Sequence, residues 1–61
     1  MTLFLHIYIY RGRNKFYQYL GMLDKSKVRI LDIETNQQIE LSKEVFKRDY
    51  YLHDTLKISI F

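Results

Sequence analysis

Residues 3–10, Leu3-Phe4-Leu5-His6-Ile7-Tyr8-Ile9-Tyr10, alternate aliphatic side chains with His6 and aromatic ones without a break. Successive side chains of an extended chain point to opposite sides, so a period of two marks a strand. The stretch reads as a strand with an aliphatic face, Leu3, Leu5, Ile7 and Ile9, and an aromatic face, Phe4, Tyr8 and Tyr10. If the aliphatic face meets the core, the aromatic face points outward with nothing in the chain to cover it. Exposed aromatic patches of that kind mark interfaces.

Working outward, Arg11-Gly12-Arg13-Asn14 interrupts the alternation with the two residue types that best tolerate positive φ, which predicts a hairpin turn. Phe16 to Leu23 resumes extended structure, with Gly21 marking a bulge or bend. Asp24-Lys25-Ser26 is a polar connection. In the next strand Val28 and Ile30 point inward between Lys27 and Arg29. Leu31 and Ile33 then fall out of phase, which predicts a bulge or a change of face near Asp32. Glu34-Thr35-Asn36-Gln37 is a second turn, and Ile39 and Leu41 form a short fourth strand. Ser42 is a helix N-cap, with Glu44 in the first turn and Lys47 and Arg48 later, as the helix dipole favours. The narrow stripe of Val45, Phe46, Asp49 and Tyr50 suits one or two helical turns. Leu56, Ile58 and Ile60, alternating with Lys57, Ser59 and Phe61, form a closing strand.

The expected architecture is mainly β, with residues 1–61 forming a single small β domain. Five strands with one short helical turn before the last is the element order of a small SH3-like barrel. A strongly curved antiparallel sheet, open or shared between two subunits, is the alternative. Closure would pair the end strands and remove sheet edges that invite aggregation.

At 61 residues such a domain hides only roughly 60% of the surface its unfolded chain exposes. Small domains make up the deficit with disulfides, a metal or a partner chain. Cysteine is absent, and His6 and His53 have no ligand-like spacing, so no metal or cofactor is expected. Self-association as a homodimer is the simplest supplement. Alanine, proline and tryptophan are also absent, whereas isoleucine, leucine, tyrosine, phenylalanine and lysine abound. That mix favours strands. It is also what an AT-rich genome writes, which points to a phage or mobile element of an AT-rich host. Met1 to Tyr10 lacks the basic start and small-residue cleavage site of a secretory signal and is too short to span a bilayer. A cytoplasmic protein without membrane contact is the expectation.

Catalytic signatures are missing: no phosphate-binding glycine loop, HExxH, GxSxG or cysteine nucleophile. His6 and His53 would form an acid–base or ligand pair only if the fold joined them. A non-catalytic binding protein is therefore expected. Its most distinctive segment is Tyr8 to Tyr19, where Arg11, Arg13 and Lys15 sit on a turn flanked by Tyr8, Tyr10, Tyr17 and Tyr19. Tyrosine and arginine are enriched at protein interfaces and their hot spots. These seven residues are the expected contacts with a host protein, with the chain acting as an inhibitor or modulator by steric blockade. The alternative partner is single-stranded nucleic acid, with the cations on phosphates and the rings on bases. Charge is unevenly spread: six basic residues and one acidic up to Arg29, then four basic and six acidic. Asp32, Glu34, Glu40 and Glu44 are scattered carboxylates or an acidic patch around the second hairpin. Phe4 and Phe61 are the expected self-association residues, joined in one patch if the terminal strands are neighbours.

Overall fold

The computed structural model describes residues 1–59. Its elements are β1 (Thr2–Tyr10), β2 (Phe16–Met22), β3 (Lys27–Asp32), β4 (Gln37–Ser42), α1 (Lys43–Asp49) and β5 (Tyr50–Ser59). All five strands lie in one antiparallel sheet of order β4-β3-β2-β1-β5. The terminal strands are neighbours, as a barrel would require, but no pairing joins β4 to β5. The sheet is open, and α1 carries the chain from one edge to the other.

Local chemistry explains the meander. Gly12, at φ 76°, turns the first hairpin, where Tyr10 N–H donates to Lys15 O (3.2 Å) and Arg13 N–H to Tyr10 O (3.1 Å). Gly21, at φ 130°, lies where the β2–β3 register shifts, and Leu20 is the residue left over. An L side chain rarely adopts that φ, so glycine is what allows the bulge. Ser42 caps α1, its Oγ accepting from Val45 N–H at 3.1 Å, with Glu44, Lys47 and Arg48 at the ends that suit their charges.

The disturbance expected at Asp32 is the end of a strand, not a bulge. β3 pairs with β4 without a register shift as far as Asp32 opposite Gln37. There the Asp32 carboxylate accepts from Glu34 N–H (3.0 Å) and Thr35 N–H (3.3 Å), and its carbonyl from Asn36 N–H (2.7 Å). Asn36 takes φ 60°, the left-handed conformation asparagine tolerates. Tyr50 likewise leaves the helix in which it was expected. It is the C-cap of α1 and the first residue of β5, which runs from Tyr50 and so starts six residues before the expected Leu56.

The core also lies on the opposite side from the one expected. Tyr17, Val28, Ile30, Phe46 and Tyr50 form the buried cluster, with Tyr8, Tyr10, Tyr19, Ile39 and Leu41 packed against it. Register confirms the side: Tyr8 faces Tyr17, Tyr17 faces Asp32, Tyr19 faces Ile30, and Ile30 faces Ile39. It is therefore the tyrosine side of β1 and β2 that α1 covers. The aliphatic side of β1 belongs to the other face of the sheet, where Ile7 is buried but Leu3 and its β5 neighbours Leu56 and Ile58 are exposed.

Candidate functional site

The helix-covered face carries a continuous layer of aromatic rings. Phe46 lies 4.6 Å from Tyr8, 5.5 Å from Tyr19 and 5.6 Å from Tyr50 between ring centroids, and Tyr50 lies edge-on to Tyr10 (5.0 Å) and Tyr17 (5.3 Å). Offset and edge-to-face rings at such distances attract beyond their simple burial. Burial, reinforced by the neighbouring Tyr17, Tyr10 and Asp49, pushes the Tyr50 hydroxyl up from 10.0 to about 12.

The layer is not fully roofed. Between α1 and the sheet, Tyr8, Tyr19, Met22, Val28, Phe46 and Tyr50 line a concavity of about 410 Å³, with Lys43 and Lys47 at its rim. That volume falls in the range of small-ligand sites, roughly 300–1,000 Å³. A second hollow continues past the same two lysines to Lys25, Ser26, Ser42 and Glu44. Lys43 and Lys47 are four residues apart on α1 and so lie on one side of it. Neither forms an ion pair among the described residues, where the pairs are Lys15–Asp32, Arg29–Glu40 and Arg48–Asp49.

At the hairpin end, Tyr10, Arg13, Lys15 and Tyr17 line a smaller hollow. Arg13 lies 5.9 Å from the Tyr10 ring centroid and Lys15 6.0 Å from that of Tyr17. Lys15 is already committed, its Nζ 3.1 Å from Asp32 Oδ2. The Asp32 carboxyl is held below its ordinary range: burial opposes its charge, but the Lys15 ammonium and the Thr35 and Glu34 N–H groups outweigh burial. The same bond raises Lys15. The Arg11 side chain is exposed, and its backbone N–H donates to Asp49 O at 2.7 Å.

Comparison with family models, curated proteins and solved structures finds no match. The geometry must speak alone.

The structure brings all four flanking tyrosines to one face, but as core more than as free contact surface. Tyr17 is 7% exposed. Tyr8 and Tyr19 reach the large concavity as its wall, Tyr10 reaches the hairpin hollow, and Arg11 and Arg13 are the expected contacts that remain fully on the surface. Phe4 is 57% exposed opposite Lys57, and Phe61 lies outside the described residues. His6 and His53 are not brought together. His6 Nδ1 lies 3.3 Å from Thr55 Oγ1 on the tyrosine side of β1, whereas the His53 ring packs at a tilt against Phe16, whose partner Ile9 lies on the aliphatic side. Of the acidic residues around the second hairpin, Asp32 and Glu40 are engaged by Lys15 and Arg29.

Sequence reasoning missed Lys43, Lys47, Met22 and the wall formed by Phe46. The i, i+4 lysine pair beside an apolar helix residue was the available signal. What lay opposite the helix could not be read from it.

Proposed function

We propose that this chain is a non-catalytic protein-binding module that holds a short acidic segment of a partner protein, inserting one apolar anchor side chain of that segment between α1 and the sheet. The observation that carries the reading is the aromatic concavity rimmed by Lys43 and Lys47, two cations without intramolecular ion pairs among the described residues. An apolar anchor would bury rings and methylenes, which is where interface energy concentrates. Carboxylates beside it would meet the lysines, which set orientation and on-rate more than affinity. A module of this size then acts by occupying a partner's surface. Steric blockade of a host protein by a phage- or mobile-element-encoded modulator is the mode that fits the composition.

The exposed Arg11 and Arg13 beside Tyr10 favour the second reading, single-stranded nucleic acid at the hairpin. It has less support, since Lys15 is neutralised by Asp32 and Tyr17 is buried, leaving few rings for bases.

Fluorescence anisotropy separates the two. The probes are a labelled peptide with tryptophan flanked by glutamates, its lysine-flanked counterpart, and single-stranded DNA and RNA oligonucleotides. The glutamate peptide should bind, the lysine peptide should not, and Lys43→Glu with Lys47→Glu should weaken binding at least about tenfold, as expected for loss of charge complementarity. Equal binding by the double variant would refute the site. Oligonucleotide binding that weakens steeply with salt, with a slope reduced by about one in Arg13→Ala, would replace the protein reading with the nucleic-acid one.

A further inference from the structure

The second face of the sheet has no helix over it. By register, Leu3, Leu5, Ile7 and Ile9 of β1 share it with Phe16 and Leu20 of β2 and Tyr51, Leu56 and Ile58 of β5; Leu5 lies opposite Leu56, Leu3 opposite Ile58, and Ile9 opposite both Phe16 and Tyr51. Leu3, Phe16, Leu20, Tyr51, Leu56 and Ile58 are each between 39% and 48% exposed. From this patch we infer that two copies of the chain pack face to face through the β2-β1-β5 half of the sheet, forming a two-layer sandwich with one helix on each outer side.

Area supports a second copy as the occupant. The chain exposes 4831 Å², whereas a monomeric protein of its 7.6 kDa mass exposes about 4300 Å². The excess, several hundred square ångströms, is of the order that one side contributes to a standard interface, roughly 800 Å² per partner. Stacked sheets approach to about 10 Å, the thickness that interdigitated leucine, isoleucine and phenylalanine side chains fill.

Charge points the same way. The strand charges on this face are Lys27 and Arg29 against Glu40 and Asp54, and Arg29 is paired with Glu40 at 3.1 Å. Lys27, Arg29 and Glu40 lie on β3 and β4, outside the β2-β1-β5 half, where Asp54 is the single strand charge on this face among the described residues, so that half offers no cationic cluster to phosphates or anionic headgroups. The exposed cations Arg11, Arg13, Lys47 and Arg48 and the half-buried Lys43 belong to the hairpin and the helix instead. The pairing also differs from the one expected at Phe4, which lies on the tyrosine side of β1 opposite Lys57. Since the concavity of the proposed function opens on the other face, self-association leaves it free.

Sedimentation equilibrium of the full chain from about 1 to 300 μM tests the inference, over the affinity range of interfaces this size. A mass of twice 7.6 kDa should dominate at the upper end, and the melting temperature should rise with concentration. In a two-fold interface each side chain occurs twice. Leu56→Glu should therefore weaken the dimer by about 100-fold or more, and the exposed Phe4→Ser should leave it unchanged. If Leu56→Glu does not fold, Leu20→Lys serves the same purpose on β2. A single-chain mass across the whole range overturns the inference, as does a dimer that survives a folded Leu56→Glu or Leu20→Lys variant. Monomers that instead partition onto neutral phosphatidylcholine vesicles would assign the face to a lipid surface and also overturn it.

Discussion

The Asp32 carboxylate accepts three hydrogen bonds, from Lys15 Nζ and from the Glu34 and Thr35 N–H groups. It is buried, and a buried carboxylate is costly unless paired and hydrogen-bonded. Here one oxygen faces Lys15 and the other closes the Glu34–Thr35 turn. Because its folded value lies below the ordinary 3.8, its stabilisation is present above that value and is lost as pH falls through the depressed folded one. Tyr50 behaves in the opposite sense. Raised from 10.0 to about 12, it contributes fully below the ordinary value and loses that contribution as pH climbs between the two. A melting-temperature profile should therefore drop at both extremes. Asp32→Asn should shallow the acid limb, with Asp24 and Asp49, also lowered, keeping part of it. Tyr50→Phe should shallow the alkaline limb; an unchanged limb would show that the Tyr50 hydroxyl is not buried in solution. Neither role was visible along the chain. The partner of Asp32 is 17 positions away, and Tyr50 sits at a phase that suits a helix stripe as well as a strand.

At the scale of elements, what was legible was local. The first hairpin, the glycine bulge in β2, the inward phase of Val28 and Ile30 and the Ser42 cap each depend on neighbours within a few residues, and each appears where the chain chemistry puts it. Ser42→Ala should cost about 1 kcal/mol, a fall of roughly 4–8 °C in melting temperature for a domain of this size, while Ser42→Asp, which can also cap, should cost little. Calorimetry checks both. The facing of β1 was not legible, because both its sides are apolar and period two cannot tell which one a helix will cover. Phe46 and Tyr50 decide that by packing tilted and edge-on against Tyr8 and Tyr10, contacts between segments far apart in the chain. The start of β5 was hidden for a related reason: His53, Asp54 and Thr55 carry no apolar alternation, yet Asp54 and Thr55 pair with β1, and His53 is the residue left over where the register shifts.

For the whole molecule, the open sheet separates two surfaces of different character, a cation-rimmed aromatic side and a neutral aliphatic side. Of the candidate site, the tyrosines and arginines were readable as unusual residues, but their division into core wall and free surface required the topology. Hydrogen exchange should show that topology directly. Amides of β3 and of Ile7 to Ile9 in β1, which lie between strands on both sides, should exchange slowest, and alternate amides of the edge strands β4 and β5, whose outer edges lack a strand partner among the described residues, should exchange fastest within the sheet. Uniform protection of β4 would indicate a closed barrel instead.

The strand order also governs how the chain can be made. β1 is synthesised before the other four strands, and its second neighbour, β5, only after all of them; His6 meets Thr55 across 49 positions. At translation rates of roughly 5–20 residues per second, β1 waits about 2–10 seconds with that edge unpaired. So non-local a closure slows folding as well. A nascent chain of this protein can add β2, β3 and β4 to β1 in turn, but premature termination ahead of β5 would leave the other edge of β1 unpaired and the aromatic face without Tyr50.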